Sequence, residues 1–97
     1  MPLYITLYNF TDQGIRNIKD APERIQDGIK AFEAMGGKML GFYATVGPYD
    51  YVTIGEAPSD EVGAAFELAI GARGNVRSTS MRAFTPEEFA RVISKLP

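Results

Sequence analysis

Asp50 is the residue whose setting first suggests chemistry, because it follows a Gly47-Pro48 turn and lies between Tyr49 and Tyr51. A carboxyl among aromatic rings can orient a ligand's donor or, with its pKa raised by burial, serve as a base. The plainer reading outweighs this one: a turn Asp accepts backbone N–H groups and fixes a hairpin. Around it, Tyr4, Thr6, Tyr8, Tyr43, Thr45, Tyr49, Tyr51 and Thr53 supply rings and hydroxyls, and Arg77 supplies a cation. With Asp50 these form the candidate ligand-binding set. Arg77 and Arg82 have opposite parity on one strand and so point to opposite faces. Either can pair with Asp50 or hold an anion, although a strand arginine is more often a solvated edge or interface contact. Ser78-Thr79-Ser80 has no base to activate it, so no serine nucleophile is expected.

The residue types that are missing narrow the chemistry further. The 97 residues contain no cysteine and no histidine. Disulfides, thiolate ligands and thiol nucleophiles are excluded, and so are the usual general base and haem ligand. An all-oxygen metal site would need a denser acidic cluster than the chain holds, so neither metal nor cofactor is expected. Ten basic and twelve acidic residues are interspersed, for a net charge of -2. That balance forms no basic stripe and argues against a nucleic-acid partner. The chain opens directly into a strand pattern without a long apolar run, so no membrane partner and a cytoplasmic location are expected.

These side chains must be positioned by a single domain of this length. Leu3 to Phe10 alternates strictly, with Leu3, Ile5 and Leu7 on one side and Tyr4, Thr6, Tyr8 and Phe10 on the other. Thr11 is placed to cap a short helical turn. Asp20-Ala21-Pro22-Glu23 then reads as a fresh helix start with Asp20 as cap, and Ile25, Ile29, Phe32 and Met35 give that helix one apolar stripe. Gly36-Gly37 ends it. Lys38 to Val46 and Tyr51 to Ala57 read as a strand hairpin. Ser59 is expected to cap a second helix with Val62, Phe66, Ala69 and Ile70 buried, ended by Gly74. Val76 to Ala83 reads as a fourth strand. Thr85-Pro86-Glu87-Glu88 is a capping box that opens a last helix carrying Phe89, Val92, Ile93 and Leu96.

The order β-α-β-β-α-β with right-handed crossovers predicts an α+β fold, the ferredoxin-like plait. Its four-stranded antiparallel sheet carries helices on one face, and a C-terminal helix follows. The helices are expected over the aliphatic face of Leu3, Ile5, Leu7, Leu40, Phe42, Val52 and Ile54. The tyrosine and threonine face is then left bare and too aromatic for a monomer, so a homodimer or higher homo-oligomer is expected through it.

Gly47-Pro48-Tyr49-Asp50 resembles the signature of the GYD-domain family. So do Pro2 to Leu7, Thr11 to Gly14, Ala57-Pro58, Gly74 to Arg77 and Arg82 to Thr85, which together span nearly the whole chain. Here Pro48 separates the Gly from the Tyr. The resemblance implies a single domain over 1–97, similar to the dimeric α/β-barrel group, and implies little about activity. The leading expectation is a non-enzymatic or regulatory homo-oligomer holding a small molecule between paired sheets. The alternatives are a cofactor-independent monooxygenase- or isomerase-like enzyme, with tyrosine hydroxyls or Asp50 managing the proton, and a purely structural assembly module.

Overall fold

The strict alternation at the N-terminus becomes an interior strand of the sheet. The computed structural model describes residues 1–97 in the order β1 (Leu3–Phe10), α1 (Asp12–Arg16), a single 3-10 turn (Ile18–Asp20), α2 (Ala21–Ala34), β2 (Lys38–Ala44), β3 (Tyr51–Glu56), α3 (Asp60–Ala72), β4 (Val76–Ala83) and α4 (Pro86–Ile93). The sheet is antiparallel with strand order β2-β3-β1-β4. Consecutive strands β2 and β3 pair directly, whereas helical crossovers carry the chain from β1 to β2 and from β3 to β4 and leave β1 between β3 and β4, as the ferredoxin-like plait requires.

Local chemistry explains most of the boundaries. The Thr11 hydroxyl accepts the Gly14 N–H at 3.1 Å, and the Ser59 hydroxyl accepts that of Val62 at 3.2 Å, so α1 and α3 begin where expected. Gly36 and Gly74 take positive φ (89° and 85°) after α2 and α3, a conformation that costs other residues more. Thr85 and Glu88 close a reciprocal capping box at the start of α4. Asp20 departs from expectation: it precedes α2 but makes no side-chain cap bond. The preceding 3-10 turn already holds its backbone in a helical conformation, so α2 continues from that turn rather than starting afresh. The two hairpin strands stop short of expectation, at Ala44 and Glu56. Val46 is fully exposed, while the Ala57 N–H is drawn off to the Pro2 carbonyl at 3.0 Å.

The facing of the sheet is the reverse of the expected one. Thr6, Tyr8, Tyr51 and Thr53 are buried beneath the helices, whereas Leu3, Ile5, Leu7, Val52 and Ile54 are only half covered. Tyr4 and Met39 pack against the core cluster of Phe32, Ala57 and Phe66. The Phe32 and Phe66 rings join α2 to α3 at 4.8 Å between centroids. In β2, Met39 faces Gly55 and Gly41 faces Ile54, so Leu40 is the extra residue of a bulge. The bulge leaves Leu40 exposed and sets Phe42 opposite Thr53, on the helix side rather than with the aliphatics.

The core is thin. Ten of 97 residues are buried, and no large side chain is completely enclosed. In α3 the covered positions are Val62, Gly63, Phe66, Glu67 and Ile70; Ala69 is exposed. Phe89, Val92 and Ile93 on α4, and Leu96 just beyond it, are all exposed, so the apolar stripe of this end is left largely uncovered within the chain. The radius of gyration is 14.6 Å, against roughly 12.5 Å for a compact chain of this length. No helix is long and apolar enough to cross a membrane.

Candidate functional site

The helix-covered face of the sheet encloses a cleft, and its geometry starts from strand register. Tyr4, Thr6 and Tyr8 follow one another along one side of β1. Arg82, Ser80 and Ser78 lie directly opposite them on β4. α3 forms the roof with Asp60, Gly63, Phe66 and Glu67. A Cβ on Gly63 would come within 3.3 Å of the Tyr4 ring, so the glycine allows the helix to approach the strand here.

Three polar contacts bridge this space. The Tyr8 hydroxyl donates to Glu67 Oε1 at 2.9 Å, Thr6 and Ser80 share a hydroxyl hydrogen bond at 2.8 Å, and the Tyr4 hydroxyl donates to Asp60 Oδ1. At the mouth, Arg82 stands 4.0 Å from Asp60 and lies against the Tyr4 and Phe84 rings, 5.9 and 4.8 Å from their centroids. The cleft holds about 340 Å³ and is lined largely by polar groups and aromatic rings. It adjoins a smaller apolar recess of about 90 Å³ under α2, and Tyr8, Met39, Thr53 and Phe66 line both.

One group in the cleft is unbalanced. Glu67 Oε2 is buried without a hydrogen-bond partner. Burial pushes the Glu67 carboxyl above the usual carboxylate range, against the easing effect of Tyr8 and of the nearby Ser78 hydroxyl. Burial first, then the Glu67 charge and hydrogen bond, hold the Tyr8 hydroxyl far above its ordinary value. Tyr4 is raised by burial and by Asp60, against the pull of Arg82, and Tyr51 is raised by burial. These shifts all favour the protonated phenol. The hydroxyls are therefore set to donate hydrogen bonds rather than to act as phenolate bases.

The structure divides the expected site residues into three groups. Tyr4, Thr6, Tyr8 and Thr53 line the cleft, and Tyr51 lines the adjoining recess. Tyr43, opposite Val52, and Arg77, opposite Asn9, face the bare side of the sheet. Thr45, Tyr49 and Asp50 form the β2–β3 turn. There the Asp50 carboxylate accepts the Phe10 N–H at 2.8 Å, its own N–H donates to the Tyr8 carbonyl at 2.8 Å, and its carbonyl accepts the Thr45 N–H at 2.9 Å. The Thr45 hydroxyl donates to the Tyr49 carbonyl. Asp50 thus ties the hairpin to the end of β1 and lines neither cavity. The arginine that lines the cleft is Arg82, and it faces Asp60 rather than Asp50.

Sequence reasoning missed Glu67 and Asp60. A signal for Glu67 was present: it lies four residues after Gly63 and three before Ile70, inside the covered stripe of α3, where a carboxylate is costly without a partner.

Other proteins share the pattern. The family model described as the GYD domain matches residues 4–93. A relative from Thermus thermophilus, named glutamine synthetase and cystathionine beta-lyase binding protein, is 33% identical over 84 residues. The match covers 86% of this chain and 88% of the relative. No solved structure matches the chain.

Proposed function

The chain belongs to the GYD-domain family, and we propose that it is a non-enzymatic, homodimeric binding protein of the cytoplasm that takes a small molecule into the helix–sheet cleft. The observation that carries this reading is the cleft itself: rings and hydroxyls surround a buried carboxylate oxygen that has no partner within the chain. The cavity expected between paired sheets is replaced by one between sheet and helices, because the tyrosines point inward. The enzymatic alternative loses support on the same geometry. Asp50 is occupied with the backbone, and the raised tyrosine pKa values leave no phenolate to take a substrate proton.

The homodimer part of the reading rests on the bare aliphatic face. Ile5 pairs with Ile54 and Met81, and Leu7 pairs with Val52, which sets a strip of aliphatic side chains on the outside of the sheet. Four strands about 4.8 Å apart and eight residues rising about 3.4 Å each give a face of roughly 500 Å². A stable dimer commonly buries about 800 Å² per partner. The uncovered stripe of α4 supplies further apolar surface of the same kind. The relative's name also describes it as binding two enzymes, which supports protein docking by the assembled form as part of this function.

The test is a small-molecule screen followed by amide chemical-shift mapping. Hits are expected to perturb Thr6, Tyr8, Gly55 and Ser80 together. Hits confined to the outer sheet face, or none across a chemically diverse set, would overturn the cleft reading.

A further inference from the structure

We propose that the recess under α2 is a second binding site, which takes short-chain organic carboxylates with the carboxylate against Arg24 and Arg73 and the hydrocarbon chain inside. The inference goes beyond the cleft reading, because the ligand occupies a different cavity bounded by different charged residues.

The shape of the recess suits a hydrocarbon chain. Its walls are Ile25 and Ile29 of α2 and Ile70 of α3, and Phe42 and Tyr51 of the sheet contribute its floor. The Phe42 and Tyr51 rings lie 5.0 Å apart between centroids. Gly28 keeps the space open, since a Cβ there would meet only Ile70 Cδ1, at 4.0 Å. A volume of about 90 Å³ has room for roughly three water-sized groups of about 30 Å³, a chain of about as many methylenes.

The charges around this space are all of one sign. Arg24 on α2 and Arg73 at the end of α3 are the only ionised side chains that line it, and every other lining residue is hydrophobic or neutral. The one ion pair within the chain joins Arg82 to Asp60, so neither of these arginines has a carboxylate partner. Arg24 Nη1 donates to the Asn17 carbonyl at 2.6 Å, which anchors the guanidinium and leaves further N–H donors for a ligand. Asp60 and Glu67 line the cleft and not the recess, and the Asp50 carboxylate is engaged with the Phe10 N–H.

Tyr51 adds a neutral donor. It is buried, yet its hydroxyl has no hydrogen-bond partner in the chain, whereas those of Tyr4 and Tyr8 donate to Asp60 and Glu67. Burial raises the Tyr51 pKa, and among the charges that act on it the lowering by Arg24 outweighs the raising by Asp50. The phenol therefore stays protonated in a locally positive field. A carboxylate supplies both the acceptor and the charge that this arrangement lacks, and a guanidinium fork matches it in geometry. An ammonium would instead meet two guanidinium groups, and an alcohol would leave both uncompensated.

The experiment titrates the full chain with pentanoate, pentan-1-ol, pentylamine and acetate, followed by amide chemical shifts. Pentanoate is expected to shift Arg24, Gly28, Ile70 and Asn75, and to bind at least about fivefold more tightly than pentan-1-ol. Pentylamine should bind more weakly than the alcohol, and acetate, a head without a chain, more weakly than pentanoate. Raising salt to about 1 M should erase most of the advantage of pentanoate over the alcohol. Arg24→Gln combined with Arg73→Gln should reduce pentanoate to the alcohol's affinity and leave the alcohol's unchanged. Gly28→Leu, which places a good helix former in the recess, should weaken both. A dispersed amide spectrum verifies that each variant is folded. Equal binding of the alcohol or the amine, pentanoate binding untouched by the two arginine changes or by Gly28→Leu, or no shifts at the recess amides overturns the proposal. Thr6, Gly55 and Ser80 line the cleft alone, so their response tests the cleft reading separately.

Discussion

Removing the Asp50 side chain tests the structural role assigned to the family's turn. The carboxylate makes one hydrogen bond, to the Phe10 N–H at 2.8 Å, across 40 residues of sequence. Hydrogen bonds to charged groups contribute about 1.5–3 kcal/mol, and an unsatisfied buried donor costs about 1–3 kcal/mol. Phe10 is half-buried, so water reaches its N–H only in part. Asp50→Ala should therefore cost about 2 kcal/mol. In a domain of this size that lowers Tm by roughly 8–16 °C. Asp50→Asn keeps a neutral acceptor and should lose about 1 kcal/mol. Both variants retain the Asp50 backbone bonds to Tyr8 and Thr45, so the hairpin itself should persist. Urea denaturation at one fixed protein concentration measures the effect, since the proposed assembly would make stability concentration-dependent. An Asp50→Ala protein within about 0.5 kcal/mol of the parent would refute the argument, as that is the range of an ordinary surface change. If Asp50→Asn kept full stability yet lost ligand binding, Asp50 would belong to the site and not to the scaffold.

Three further outcomes follow from packing and charge. Gly14→Ala would bring a Cβ to within 2.0 Å of the Asn75 carbonyl oxygen, a backbone atom that cannot swing aside, so the variant should lose at least about 2 kcal/mol in urea denaturation. Phe66→Ala removes half of the Phe32–Phe66 contact that joins the two helices and should cost about 3–5 kcal/mol, read as a lower denaturation midpoint. Glu67 is raised by burial, so its stabilising contribution is complete below the unfolded carboxyl pKa and is lost as pH rises through the folded value. Denaturation midpoints of Glu67→Gln measured from acid to neutral pH should therefore decline less than those of the parent over that window.

The elements themselves were legible because each carries its own signal. Alternation marked β1, hydroxyl caps marked α1 and α3, and the Thr85–Glu88 box marked α4. The side of the sheet that the helices cover was not legible. A period of two says which residues share a face, but it does not say onto which face a crossover helix folds. Hydropathy favoured the Leu and Ile side as core, yet Tyr8, Tyr51, Thr6 and Thr53 are the buried residues. A second difficulty was Leu40, whose bulge breaks the parity of β2 and moves Phe42 from the aliphatic side to the helix side, beside Met39. The cleft was half legible for the same reason. Tyr4, Thr6, Tyr8 and Thr53 share one parity and were grouped together, whereas Asp60 and Glu67 enter from a helix whose rotation only the tertiary packing fixes. Tyr43 has the opposite facing because β2 pairs it with Val52, a register that the turn composition alone does not determine.

The assignment of the outer aliphatic face to a second copy of the chain is tested most directly by sedimentation equilibrium at micromolar concentration, on the parent and on Ile54→Lys. The account predicts twice the 10.6 kDa chain mass for the parent. It predicts the single-chain mass for the variant, with an unchanged circular-dichroism spectrum, because a lysine opposite Ile5 would put charge into the centre of the joined sheets. A parent that sediments at 10.6 kDa, or a dimer indifferent to Ile54→Lys, would contradict it.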